Sequence, residues 1–223
     1  MTIFSDRQIG RLGYRAILFD FDGVLGDTME DNYAAWYDAF AAHGISLQRE
    51  EYFPLEGMNV ITVAQTILHR RHADPDLAPV ISDLKEIYYR QHNRFRLYPG
   101  VAAAIDRLRQ RYTLGLVSGA GRTRLQATVP AKFLTAFGVV ITGDDVRFSK
   151  PHPEPYRMAA ERLDIEPHHC LVVENAPLGI TAAKRAGMEC VALCTTLASQ
   201  FLQDADMIID TIHQLGSVLG EGA

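Results

Sequence analysis

A short apolar run near the start of the chain ends in two carboxylates and constrains the fold more than any other segment. Residues 16–25 read AILFDFDGVL, so bulky branched and aromatic side chains lead into Asp20 and Asp22. A continuous apolar run closed by a glycine predicts a strand buried on both faces. Ligand sites of open α/β sheets lie at the carboxyl ends of the strands, so the pattern predicts an acidic site there. The alternative is a strand end followed by an ordinary Asp-Gly turn.

Composition narrows the class of protein. The chain has 223 residues, 48% hydrophobic and 22% charged, which suits one α/β domain with an insertion or two small domains. No apolar run approaches the ~20 residues of a membrane span, and residues 1–14 lack an apolar core of signal-peptide length. We therefore expect a cytoplasmic protein without a membrane partner. The formal net charge of −5 argues against nucleic acid as a partner. We expect a monomer, with a dimer as the alternative.

The chain divides into two parts that differ in the spacing of their apolar residues. Residues 29–95 carry apolar side chains at helical spacings of three and four and no convincing strand. After Tyr98-Pro99-Gly100, strands are expected at 114–117, 139–142, 170–174, 190–193 and 207–209, with helical stretches between them. This alternation predicts a Rossmann-like α/β core, a parallel sheet with helices on both faces. We assign residues 1–28 and 96–223 to that core and residues 29–95 to an inserted α-helical cap domain.

Three later strand ends add polar groups to the acidic one. Ser118 and Gly119 follow one strand, Lys150 lies in a proline-rich loop, and Glu174-Asn175 closes another strand. Taken singly, each has an ordinary explanation: a serine often caps a helix, a lysine is usually solvated, and Glu-Asn is common in turns. Their order along the chain is more informative than any one of them.

In this order the motifs resemble those of the haloacid dehalogenase-like superfamily of phosphotransferases. The segment Asp20-x-Asp22-Gly23-Val24-Leu25 resembles its first motif, Ser118 its second, Lys150-Pro151 its third and Glu174-Asn175 its fourth. A helical insert after the first motif is similar to the subgroup that includes β-phosphoglucomutases and phosphoglycolate phosphatases. The resemblance implies a Mg²⁺-dependent phosphatase that acts on a small phosphorylated metabolite through an aspartyl-phosphate. A phosphosugar mutase and a non-catalytic phosphate-binding module are the alternatives.

The residue chemistry fits phosphoryl transfer. Asp20 can attack phosphorus, and Asp22 can protonate the leaving oxygen and then activate water. Lys150 can stabilise charge on the transferring oxygens, while Ser118 and neighbouring N–H groups hold the phosphate. The expected Mg²⁺ ligands are Asp20, the backbone carbonyl of Asp22, and Glu174 or Asn175. The expected substrate-binding residues are Gly23, Ser118, Gly119, Lys150, Asn32 and Asn59.

Several positions depart from the family pattern or permit two interpretations. Many relatives have an aspartate where this chain has Asn175, which removes a negative charge and should weaken Mg²⁺ binding. Asn32 stands where the mutases have a histidine and Val60 where they have an arginine, and both changes argue against mutase activity. Asn59 either faces the site or caps a helix. Arg124 could reach a phosphate, although a solvated helix face is the favoured interpretation.

Overall fold

The computed structural model describes residues 13–220, and within them the centre is a six-stranded sheet. Its strands are β1 (Ala16–Phe19), β2 (Thr113–Val117), β3 (Val139–Ile141), β4 (Cys170–Glu174), β5 (Glu189–Leu193) and β6 (Met207–Ile209). They lie in the order β3-β2-β1-β4-β5-β6, and every neighbouring pair is parallel. The predicted α/β fold with a parallel sheet is therefore confirmed.

Helices cover both faces of the sheet because successive strand residues point to opposite sides. In β1, Ile17 and Phe19 join one apolar cluster, while Ala16 and Leu18 join the other, and all four are 0% exposed. The first cluster includes residues of α5 (Val101–Leu108) and α6 (Arg122–Thr128), with α7 (Ala131–Leu134) and α10 (Leu215–Val218) on the same side. The second includes residues of α8 (Glu154–Arg162) and α9 (Pro177–Ala186). A strand buried on both faces is the reason that its sequence is apolar without alternation.

The segment after β1 folds into helices with a hydrophobic core of their own. These are α1 (Met29–Ala41), α2 (Arg49–Tyr52), α3 (Val60–Arg70) and α4 (Ala78–His92), and we call residues 29–95 the cap. Trp36 and Phe40 of α1 pack with Ile67 of α3 and Ile81 of α4, and all four are buried. The apolar stripe of each helix is thus satisfied within the cap rather than by the sheet.

The chain passes between core and cap twice, and the two crossings lie side by side. Asp27 N donates to Arg96 O at 2.8 Å, and Tyr98 N donates to Leu25 O at 3.0 Å. Gly26 and Leu97 form an antiparallel bridge between them. The cap is therefore connected to the core by a narrow, paired hinge at the carboxyl end of β1.

A loop of the cap touches the core beyond that hinge. Gly57 has φ +89°, and a Cβ atom there would lie 2.9 Å from Lys150 Cδ. A Cβ atom on Gly119 would lie 3.1 Å from Gly57 O. Glycine is required at position 57 for both its backbone conformation and this close approach. The structure therefore describes a closed cap.

Two further features of the described residues concern the cysteines and the length of the helices. Cys170 and Cys190 are buried and all three cysteines are free thiols, Cys194 being partly buried. In residues 13–220 there is no helix with both the length and the apolar character needed to cross a membrane.

Candidate active site

The strand ends bring the predicted groups together at one edge of the sheet. β1 ends at Phe19, two residues earlier than the apolar run predicts, because the chain then turns tightly: Leu25 N and Gly26 N both donate to Phe21 O. Asp20 N still donates to Val173 O at 3.0 Å, which extends the ladder by one bond. Because of this turn, the carboxylates of Asp20 and Asp22 contact different side chains and do not share one cationic partner.

Lys150 connects Asp20 with the end of β4. Its Nζ donates to Asp20 Oδ1 at 2.5 Å, to Glu174 Oε1 at 2.7 Å and to Val117 O at 3.3 Å. The side chain is 2% exposed. Burial alone would lower the pKa of Lys150, but the carboxylates of Asp20 and Glu174 outweigh it and raise that pKa. Lys150 is therefore an ammonium ion with a fixed direction, held against the proposed nucleophile.

Asp20 is not fully compensated by this lysine. Burial, opposed by Lys150 and assisted by the charge of Glu174, raises the pKa of Asp20 to about 8. Its second oxygen, Oδ2, is buried and has no hydrogen-bond partner among the described residues. A carboxylate that must be ionised to attack phosphorus therefore needs more positive charge beside Oδ2.

The groups beside Asp20 Oδ2 fit a hard cation, and the oxygens of Glu174 and Asn175 have different roles there. Glu174 Oε1 accepts from Lys150 and from Tyr156 OH at 2.8 Å, and Oε2 accepts from the N–H groups of Asn175 at 2.9 Å and Ala176 at 3.2 Å. Both of its oxygens are thus committed to orienting Lys150 and the strand end. Asn175 Oδ1, in contrast, is buried without a partner in the described structure.

The donor set is small. No cluster of three or more His, Cys, Asp or Glu side chains suited to a metal occurs in residues 13–220. Mg²⁺ is commonly held by one or two carboxylates with water and substrate phosphate completing its octahedron, so a set of Asp20 Oδ2, Asn175 Oδ1 and a backbone carbonyl is compatible with it.

Asp22 lies in a second network that faces the cap. Thr28 Oγ1 donates to its Oδ1 at 2.5 Å and Asn32 Nδ2 donates to the same atom at 3.1 Å. Arg124 Nη2 donates to Oδ2 at 2.9 Å. Burial alone would raise the pKa of Asp22, but Arg124 and the Thr28 hydroxyl outweigh it and hold that pKa below its ordinary value. Asp22 is therefore a carboxylate in the closed state.

Arg124 is the residue that the sequence analysis misplaced. It is 8% exposed rather than solvated, its Nη1 donates to Asn32 Oδ1 at 3.0 Å, and its guanidinium lies 4.9 Å from the ring of Tyr89. Leu125 is buried in the core beside it, which turns this side of α6 inward. In the sequence, the apolar residue Leu125 next to Arg124 was the one available sign that Arg124 is buried. An apolar neighbour is too common to predict burial of an arginine.

The expected phosphate cradle lies beside Asp20. Ser118 is 4% exposed, and its Oγ accepts from Ala120 N at 3.1 Å. Gly23 has φ +83°, and a Cβ atom there would lie 2.1 Å from Asn175 Nδ2, so a side chain cannot be accommodated. Ser118 and Gly119 follow β2, which pairs with β1, and Gly23 lies against Asn175 after β4, so all three stand at the same edge of the sheet as Asp20.

Asn59 takes the structural alternative. Its Oδ1 accepts from Thr62 N and from Thr62 Oγ1, each at 2.9 Å, and so caps α3. That oxygen is not available to a substrate in this conformation. Asn32, the other cap residue expected to bind substrate, contacts Asp22 and Arg124 instead.

A small cavity of about 30 Å³ lies between cap and core. This volume holds roughly one water molecule. Its polar lining includes Asp22, Asn32, Tyr52, Glu56, Lys85 and Arg124, and its apolar lining includes Trp36, Leu55, Met58, Val60 and Val63.

Two charged residues of this lining escaped the sequence analysis. Lys85 is 1% exposed, and its Nζ donates to Glu86 Oε1 at 2.9 Å. Burial and the nearby Arg124 charge lower the pKa of Lys85 to about 8. Glu56 Oε2 accepts from Tyr52 OH at 3.2 Å. No local pattern distinguishes such residues from the solvated charges of a helix surface.

The chain is similar over nearly its whole length to proteins named as phosphatases. A family model described as haloacid dehalogenase-like hydrolase matches residues 17–193. Validoxylamine A 7'-phosphate phosphatase of Streptomyces hygroscopicus subsp. limoneus is 29% identical over 91% of this chain and 96% of that protein. Pyrophosphatase PpaX of Oceanobacillus iheyensis is 30% identical over 94% of this chain and 99% of that protein.

A solved structure extends the likeness to three dimensions. The crystal structure of a CbbY variant from Rhodobacter sphaeroides, in complex with xylulose-(1,5)-bisphosphate, matches with a TM-score of 0.78 and 28% identity. The match covers 92% of this chain and 99% of that one.

Proposed function

The chain belongs to the haloacid dehalogenase-like hydrolase family and is a hydrolase of phosphoric monoesters, and we propose that its substrate is a small sugar phosphate or a similar polyol phosphate. The observation that carries the proposal is the pairing of Asp20 with Lys150, at 2.5 Å, at the end of the strands. Relatives named for a phosphorylated metabolite, and one solved with a sugar bisphosphate, support this class of substrate.

In the first chemical step Asp20 attacks phosphorus and the ester bond to the leaving oxygen breaks, which leaves an aspartyl-phosphate. The proton for the leaving oxygen comes from the monoanionic form of the substrate phosphate, and the Asp22 carboxylate passes it on. Lys150 offsets charge on the phosphoryl oxygens, and Ser118 with the N–H groups beyond it keeps the group in line. A bound Mg²⁺ ion, held by Asp20, the Asp22 carbonyl and Asn175, would add positive charge against the phosphate.

In the second step a water molecule attacks the aspartyl-phosphate and Asp22 takes its proton, which restores Asp20. The network of Thr28, Asn32 and Arg124 supports this assignment, because it fixes Asp22 as a carboxylate directed at the cavity. The cavity of about 30 Å³ has room for that water.

Hydrolysis is preferred to mutase chemistry for a physical reason. A mutase must bind a second phosphate in the cap while the first is transferred, and that site needs a free cation. Val60 contributes an apolar surface to the cavity, and the cations Lys85 and Arg124 are paired with Glu86 and Asp22.

The experiment is a phosphate-release assay on sugar phosphates, polyol phosphates, pyrophosphate and p-nitrophenyl phosphate, with and without Mg²⁺. We expect turnover that requires Mg²⁺. Asp20→Asn should lose at least about a hundredfold in kcat while keeping its fold, because the amide retains the shape of the nucleophile without its reactivity. Asp38→Asn, on the exposed side of α1, is the matched control. Activity of the Asp20 variant above that level would contradict the assignment.

A further inference from the structure

One carboxyl group in the cavity wall has no part in the chemistry above. Glu56 lies in the cap loop next to Gly57, the residue that touches Lys150, and is only 9% exposed. Among the described residues, the one hydrogen bond to its carboxyl group is the 3.2 Å contact from Tyr52 OH. A carboxyl group buried to this extent normally has a basic partner or several donors. Glu56 therefore has unused capacity to accept hydrogen bonds within the substrate cavity.

The other charged groups of the cavity are already in ion pairs. Arg124 is 2.9 Å from Asp22, and Lys85 is 2.9 Å from Glu86. Glu56 forms no such pair in the described part of the chain. Burial, together with the charges of Asp22 and Asp20, raises the pKa of Glu56 well above its ordinary value. A group that donates a hydrogen bond to Glu56 would relieve this unfavourable environment, and a further anion would worsen it.

The position of Glu56 in the cavity wall allows it to contact the leaving group of a substrate. Asp22 and Glu56 both line the cavity of about 30 Å³ between cap and core. The oxygen that Asp22 protonates is bonded to the first carbon of the leaving group. The substituent on the next carbon therefore lies within reach of Glu56 once the cap has closed over a substrate.

We propose that Glu56 accepts a hydrogen bond from a hydroxyl group of the leaving group and thereby selects phosphate esters of neutral polyols over esters whose leaving group is itself anionic. This rests on the proposed phosphatase function. A hydroxyl group has a proton to donate, whereas a carboxylate or second phosphate has none and places another negative charge beside Asp20 and Asp22. The face of Trp36, which also lines the cavity, suits the carbon skeleton of a polyol.

The test uses a substrate pair of equal size, 2-hydroxyethyl phosphate and phosphoglycolate, which differ only in a hydroxymethyl or carboxylate group. For the wild-type protein we expect kcat/KM to favour the hydroxyl ester by at least about tenfold, the factor that 1.4 kcal/mol provides. Glu56→Gln keeps the shape but replaces the carboxyl group with a neutral amide whose N–H groups can donate to a carboxylate, so it should reduce the preference several-fold, mainly through faster turnover of phosphoglycolate. Glu50→Gln, on the exposed surface of α2, should leave the preference unchanged.

The outcomes separate this inference from the proposed function. If the wild-type protein fails to hydrolyse even p-nitrophenyl phosphate, the proposed function is wrong. If it hydrolyses phosphate esters but treats the pair equally, or if Glu56→Gln keeps the full preference, the inference alone is overturned. Where the two-carbon esters turn over too slowly, their inhibition constants against p-nitrophenyl phosphate are compared, and equal constants overturn it as well. The wild-type ratio tests the inference even if the Glu56 variant does not fold.

Discussion

At the scale of single residues, Asn175 is the position where this chain departs from the family pattern, and its buried, unpartnered Oδ1 makes the departure testable. Asn175→Asp should raise Mg²⁺ affinity by roughly an order of magnitude, because hard cations bind charged oxygens more tightly. Calorimetric titration of Mg²⁺, and the shift of melting temperature that Mg²⁺ produces, measure this without reference to turnover. Asn93→Asp, at the end of α4, is the control. An unchanged dissociation constant would mean that residue 175 does not touch the metal.

Lys85 provides a pH dependence with a definite sign. Its pKa is lowered to about 8 in the folded protein from an ordinary value of 10.5. Between these pH values the unfolded chain holds a proton that the folded protein has released, so raising the pH through this window favours folding. Relative to Lys85→Met, the wild-type free energy of unfolding should rise by up to about 3 kcal/mol between the two ends. Urea unfolding of both proteins across the window measures it, and a constant difference would refute the burial argument.

The residues that sequence analysis did not identify share one property. Arg124 pairs with Asp22 across 102 positions of sequence, and Glu56 lines a cavity formed together with residues of the core. Propensity and periodicity describe neighbours along the chain, so they cannot show which charged side chain a distant element will cover. Asp20, Ser118 and Lys150 were accessible because each follows a recognisable strand or stands in a recognisable motif.

At the scale of elements, the loop at Gly57 is the contact that distinguishes a closed cap from an open one. In Gly57→Ala the new methyl group would lie 2.9 Å from Lys150 Cδ, and the backbone has φ +89°. Gly44 also has a positive φ, +72°, but nothing lies within 4 Å of a Cβ atom there. Both alanine variants should lose about 1 kcal/mol of stability from the left-handed conformation.

Only Gly57→Ala should also impair the reaction, by about tenfold in kcat/KM, because it obstructs closure as well as straining the loop. Thermal melting and steady-state kinetics of the two variants make the comparison. Equal kinetic losses in both would show that strain, and not the contact with Lys150, is responsible.

The strands of the core were predictable for a simple reason. Each is a short, continuous apolar run, as a strand covered on both faces must be. The apolar run continues past Asp20 to Phe21, which is equally apolar, yet the backbone turns there to present Asp22 to the cap. Hydrophobicity identifies what is buried, and the turn after β1 depends instead on hydrogen bonds to the Phe21 carbonyl.

At the scale of the whole molecule, the small size of the cavity means that the cap must move relative to the core. A space of about 30 Å³ cannot admit a sugar phosphate, so the cap must swing away for substrate to enter and product to leave. Spin labels on cysteines introduced at the exposed positions Arg70 and Gln203, in a Cys194→Ser background, report the distance between cap and core. We expect a broad distribution in the free protein that narrows with Mg²⁺ and trifluoroberyllate.

The Asp20→Asn variant is the control, because it lacks the carboxylate to which trifluoroberyllate binds and its distribution should stay broad. A distribution that does not change in the wild-type protein would exclude a closing cap.

The paired crossings have a consequence for how such a molecule can diversify. Since residues 27 and 96 are hydrogen-bonded at 2.8 Å, the inserted segment leaves and re-enters the core at nearly the same point. Neighbouring ends make an insertion of almost any length inexpensive in chain entropy and undemanding of the surrounding sheet. Asp20, Lys150 and Asn175 all lie outside that segment, whereas Glu56 lies within it. A lineage can thus acquire a new substrate by exchanging one contiguous stretch of chain, with the catalytic centre inherited intact.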